Sequence, residues 1–116
     1  MVRLVGFTPL VPEELPNGLR LDKSYVLATT CCNAIELRYV KGSQLVTVFQ
    51  QGRGHPVLFD GFETETTRID GVVCRRGRVG DIVIVNFDGA GRNTTLLARA
   101  DYSEIPTIVQ LFNTTP

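Results

Sequence analysis

Residues 33–51 read NAIELRYVKGSQLVTVFQQ, and this stretch decides the fold. Ile35, Leu37 and Tyr39 alternate with Glu36 and Arg38, the two-residue period of a half-buried strand. Lys41-Gly42-Ser43 supplies a hinge. The return strand alternates Leu45, Thr47 and Phe49 with Val46 and Val48. Both of its faces are largely apolar, so it should lie centrally or be covered on both sides. Two strands joined by a tight turn make the chain sheet-forming and antiparallel from its clearest segment outward.

The neighbouring segments extend this pattern. GLRLDKSYVLA predicts a strand over Leu19–Ala28. Residues 68–75 (RIDGVVCR) and 81–87 (DIVIVNF) read as strands around a turn containing Gly77 and Gly80. Asp88-Gly89-Ala90-Gly91 reads as a second turn, and residues 93–100 as the returning strand. Residues 51–67 are a longer connection rich in glycine, in which Val57-Leu58-Phe59 can add a short strand or fill a gap in the core. Residues 1–18 carry Pro9, Pro12 and Pro16, each lacking a backbone donor and biasing the preceding residue to extended geometry. They read as an arm anchored by Leu10, Val11 and Leu15 and ended by the Asn17-Gly18 turn signal. Only the tail has helical spacing. Ser103 can cap, Pro106 suits a first turn, and Ile105, Ile108, Val109 and Phe112 fall on one stripe. The expectation is an α+β domain: arm 1–18, an antiparallel sheet of five to seven strands over 19–102, and a helix over 103–113.

Composition narrows the function classes. A chain of 116 residues fits one domain with its own core. Twelve Lys+Arg balance twelve Asp+Glu, so no global charge argues for nucleic acid or an anionic membrane. No apolar run approaches the ~20 residues that span a bilayer. The start MVRLVGFTPL is a poor signal peptide, because Gly6 and Pro9 break its apolar stretch. The compartment is cytoplasmic for a stand-alone protein and periplasmic for an excised sensor domain.

Candidate chemistry centres on thiols. Cys31-Cys32 are vicinal, and with Cys74 and His55 they can hold a soft metal ion such as Cu, Zn or Hg. Their spacing is unlike a zinc finger, and adjacent strand residues point to opposite faces, which opposes sharing one ion unless a turn lies at residues 29–33. The competing readings are small buried hydrophobes or one bridge to Cys74, with an odd thiol left over. His55 precedes Pro56 in a glycine-rich loop, and Asp60, Glu63 and Glu65 nearby are not spaced as an acid/base pair. A cysteine nucleophile paired with His55 has no local signature. Gly52-Arg53-Gly54 and Gly89-Ala90-Gly91 look like fragments of phosphate loops, but neither opens a helix, and turn glycine is the better reading. Arg75, Arg76 and Arg78 form the one basic cluster, placed on a hairpin loop where it can meet an anion or an acidic partner surface. Tyr39, Phe49 and Phe87 sit in strands that look core-directed, which argues against RNA stacking. Asn93-Thr94-Thr95 and Asn113-Thr114-Thr115 match the glycosylation triplet and carry no weight.

LPNGLRLDKSYVL followed by AIELRYVKGSQLVTVF resembles extracytoplasmic domains of bacterial membrane-bound anti-sigma factors. It is also similar to the C-terminal domain of MucB/RseB-type periplasmic regulators. The shared hairpin elements are Leu37, Tyr39, Gly42, Thr47, Val48 and Phe49. The ending, DIVIVNF, TTLLARADY and SEIPTIVQLF, is similar too. The resemblance implies a non-enzymatic sensor or interaction domain in sigma-factor regulation with a protein partner and no catalytic residues to transfer. Binding would use a sheet face or an edge strand, and a thiol-based metal or redox input would bias it. The family's zinc-binding helical domain and membrane span are not in these residues, and the Cys31-Cys32 pair is not a family requirement. The competing functions are a stand-alone soft-metal or redox module and a small cysteine-dependent enzyme. The apolar strand over 44–50 also invites a sheet-edge homodimer, and a covering helix satisfies it equally well.

Overall fold

The computed structural model describes residues 7–28, 33–52 and 64–114. Among them stand eight strands: β1 (Glu14–Leu15), β2 (Leu19–Ala28), β3 (Asn33–Lys41), β4 (Gln44–Gly52), β5 (Thr64–Ile69), β6 (Val72–Val79), β7 (Ile82–Gly89) and β8 (Arg92–Arg99). One helix, α1 (Ile105–Thr114), follows. All strand pairs are antiparallel, in the order β1-β2-β3-β4-β8-β7-β6-β5. Two four-stranded meanders therefore meet at the β4–β8 pair, where Val48 faces Leu96 and Gln50 faces Thr94. The strand over 44–50 is central, as its apolar content requires.

The count of eight corrects the expected five to seven. Part of the excess is the two-residue β1. The rest comes from 68–75, which is not one strand. Asp70 (φ 50°) and Gly71 (φ 82°) form a two-residue turn between β5 and β6. Positive φ at both central residues is the geometry whose twist matches antiparallel strands, and Asp-Gly adopts it readily. Gly77, expected in a turn, instead lies inside β6 opposite Ile84 and Thr64. Val57-Leu58-Phe59 lies outside the described residues.

Alternation puts Ile35, Leu37, Tyr39, Val46, Val48, Val83, Val85, Phe87, Leu96 and Ala98 on one face, and all are buried. Helix α1 packs on this face over β6 and β7. Its Ile108, Val109 and Phe112 are fully buried, and Ile105 packs beside them. The first helical bond runs from Ile108 N–H to Glu104 O at 3.1 Å, so Glu104 occupies the capping position rather than Ser103. Gln110 Nε2 donates to Asp70 O at 2.6 Å and ties the helix to the β5–β6 turn.

The arm packs along the sheet, held largely through its own carbonyls. Its prolines cannot donate to a long ladder, and side chains from the sheet do the pairing instead. Gln50 accepts from Leu10 N–H at 2.8 Å through Oε1 and donates to Leu10 O at 2.7 Å through Nε2. Tyr39 Oη donates to Pro12 O at 2.7 Å, Tyr102 Oη to Pro16 O at 3.1 Å and Lys41 Nζ to Asn17 O at 2.8 Å. Arg92 is fully buried and donates to Thr8 O at 3.3 Å and to Phe112 O at 2.8 Å. It joins the arm to the helix C-terminus, where a cation meets the negative end of the helix dipole. Leu15 is buried and Leu10 half-buried, whereas Val11 is exposed and anchors nothing.

Candidate functional site

Among the described residues no element packs on the opposite sheet face. Strand pairing lays its side chains out in rows. One row runs Tyr25, Glu36, Phe49, Thr95, Asn86, Arg75, Thr66, each residue directly opposite the next. The parallel row on one side is Gln51, Asn93, Asp88, and on the other Lys23, Arg38, Thr47, Leu97, Ile84, Gly77, Thr64. The face thus grades from a polar end near the close of β4 to an apolar end near its start.

The polar end is a hydrogen-bonded network. Asn86 Nδ2 lies 2.9 Å from both Asn93 Oδ1 and Thr95 Oγ1 and 3.2 Å from Thr94 O. Asn93 Nδ2 donates to Asp88 Oδ1 at 3.0 Å. Asn86, Asn93, Thr95 and Gln51 are buried, and Gln51 Oε1 makes no hydrogen bond. Satisfied amides of this kind fix the register of β7 against β8, because a slip would strand them all.

At the β2–β3 side, Arg38 Nε donates to Glu36 Oε2 and the guanidinium stands 5.0 Å from the Tyr25 ring centroid. The hydrogen bond and charge of Glu36 raise the Arg38 pKa further. The result is a cation over an aromatic ring at the sheet margin.

The apolar end is open. Leu45 is 48% exposed, and Ile82 and Val79 stand exposed beside it. Ser43, Leu45, Thr47, Ile82, Leu97 and Arg99 line a shallow groove of about 260 Å³. Its rim carries both signs of charge, with Arg99 Nε 3.6 Å from Asp101 Oδ1 and Asp81 nearby.

The residues singled out in the sequence fall elsewhere. Cys31, Cys32 and His55 lie outside the described residues. Cys74 is buried on the covered face, with its thiol donating to Val72 O at 3.4 Å, and burial pushes its pKa up. Among the described residues no three His, Cys, Asp or Glu side chains gather as a metal site. Arg75, Arg76 and Arg78 sit within β6, not on a hairpin loop. Alternation sends Arg75 to the open face and Arg76 and Arg78 to the other. Arg76 stands 4.0 Å from Glu65, and Arg78 Nε donates to Gly80 O at 2.8 Å. Arg76 and Arg78, with Thr64, Glu65 and Gly77, line one open depression of about 350 Å³.

The buried amides and the exposed apolar groove were not foreseen in the sequence. The signal for Asn86 was present: a lone amide inside IVIVNF, on the face opposite Val83, Val85 and Phe87. No helix among the described residues is long and apolar enough to cross a membrane. No family model, curated protein or solved structure matches the chain.

Proposed function

We propose that this chain is a non-enzymatic interaction domain of the regulatory, anti-sigma-like kind, and that the exposed apolar end of the sheet face opposite α1 is its docking surface. One observation carries the reading: among the described residues the arm and helix lie on one face of an eight-stranded sheet, and the other face ends in an exposed apolar groove with a charged rim. Such a groove receives a partner's apolar side chain while the rim selects and orients it. The sigma-factor connection rests on the resemblance of the β3–β4 hairpin and of the β7–β8–α1 ending.

The test is co-expression of the chain with the sigma factors and membrane-bound anti-sigma factors of its own organism, read as a complex on gel filtration. The reading expects one such complex, lost when Leu45→Lys and Ile82→Lys place charge in the groove. Absence of a complex with every one of them refutes the sigma-factor assignment. A complex indifferent to both substitutions refutes the groove.

A further inference from the structure

The outer edge of β2 has a different chemistry from the groove. β1 pairs only with Leu19 and Arg20, and Leu21 N–H is taken by Glu13 O at 2.9 Å. Beyond that, no described residue pairs with the outer edge of β2. Residues 22–26 are exposed one after another, although a strand with one face on the core should alternate. Tyr25 is 38% and Val26 42% exposed. Natural sheets blunt such edges with charge, proline or a bulge. Here the bulge is at Asp22, at the start of the open stretch, and residues 24–27 carry no charge. The other margin, β5, reads TETTRI, whose threonines, Glu65 and Arg68 hydrate readily and leave little apolar area to bury.

The geometry points to a second copy of this chain as the occupant of the β2 edge, added antiparallel across a twofold axis at Tyr25. The open stretch is bounded by the bulge at Asp22 and the strand end at Ala28, so its midpoint is Tyr25. An isologous contact must be self-complementary about its axis. With Tyr25 facing its own copy, Ser24 faces Val26 and Lys23 faces Leu27, so no like charges are opposed. Each Tyr25 ring already has Arg38 over it, and pairing brings two such stacks together on one face. Val26 loses its solvent exposure on the other face. The chain's zero net charge adds no long-range repulsion between copies. A strand pair is small beside a stable interface of about 800 Å² per partner, so the dimer is weak and concentration-dependent. The two sheets then run on as one.

Sedimentation velocity of the intact chain from low to high micromolar tests this directly. The weight-average mass should climb toward twice the monomer. Tyr25→Glu and Tyr25→Lys each oppose like charges at the axis and should each weaken self-association at least about tenfold. An equimolar mixture of those two variants should recover the dimer, a readout that general destabilisation does not give. Circular dichroism verifies their fold, and Val26→Lys, at an exposed position, serves if either fails. A chain that stays monomeric overturns the proposal. So does a dimer that ignores all three substitutions, or that fails to return on mixing. Because Leu45→Lys and Ile82→Lys leave this edge intact, loss of partner binding and loss of self-association are read separately.

Discussion

Gln50→Leu isolates the way the arm is held. Gln50 is fully buried in β4, and its amide does for Leu10 what a neighbouring strand would, accepting at 2.8 Å and donating at 2.7 Å. Leucine is close in volume, so packing changes little and the two hydrogen bonds are what is lost. A buried backbone N–H or C=O left unpaired costs about 1–3 kcal/mol. Leu10 is half-buried, so water reaching the lifted arm recovers part of that cost. The expected loss is about 2–4 kcal/mol in total. That is a large share of the ~5–15 kcal/mol typical of a domain. It corresponds to a thermal midpoint lower by roughly 10–20 °C. Urea unfolding followed by far-ultraviolet circular dichroism measures it, with tyrosine fluorescence as the second probe because the chain has no tryptophan. Gln50→Glu adds a pH signature. The introduced carboxylate still accepts from Leu10 N–H but turns a second oxygen toward Leu10 O. Its protonated form is favoured in the folded state, so its folded pKa is raised. That variant therefore regains stability as pH falls and loses it as pH rises. A Gln50→Leu chain within about 0.5 kcal/mol of the parent refutes the account, since that is the range of an inconsequential substitution.

Three further outcomes follow from the same packing. Phe112→Ala empties a fully buried site on α1 and should cost about 3–5 kcal/mol in thermal or urea melts. In a Cys31→Ser, Cys32→Ser background, Cys74 should react with iodoacetamide far more slowly when native than in urea, because burial raises its thiol pKa and hides it; rapid native labelling contradicts its placement. Burial, with help from Glu104, pushes Tyr102 up to about 12 from an ordinary 10.0, and burial raises Tyr39 as well. The unfolded tyrosines ionise first, so stability is intact below pH 10 and falls as pH rises toward 12 and beyond. The arm, which both hydroxyls hold, should gain amide exchange over that window before global unfolding.

The parts of the fold that were legible in the sequence are those written locally. The β3–β4 hairpin alternates apolar and polar residues over a span that nothing else explains, and Ile108, Val109 and Phe112 recur at helical spacing. The β5–β6 boundary departs from the apolar pattern: Asp70-Gly71 is the turn and Gly77 lies in β6. The Asp-Gly pair carried the stronger turn chemistry. What holds the arm was not legible, because Gln50 and Leu10 are 40 positions apart and Arg92 and Thr8 are 84 apart. A side chain that pairs with distant backbone leaves no periodic trace. The basic cluster misled for a related reason. Arg75, Arg76 and Arg78 are close in sequence, but a strand deals neighbours to opposite faces, and only pairing to β7 shows which goes where. The candidate surface was legible only in kind. The sequence pointed to a sheet face or edge, and it took the cross-strand register to gather Leu45, Leu97 and Ile82 into one groove.

The junction of β4 with β8 sets the order in which this chain can mature. β4 is largely apolar on both faces, and its outer neighbour is the last strand made. A nascent chain that has released β1–β4 can zip that meander locally, yet it carries β4 as a bare sticky margin until β8 arrives. Long-range closure of this kind is slow, and exposed strand margins are where nascent chains adhere to one another. Truncation or ribosome stalling before residue 92 therefore leaves the first half soluble only with chaperone cover, and the yield of native protein hinges on the arrival of RNTTLLAR.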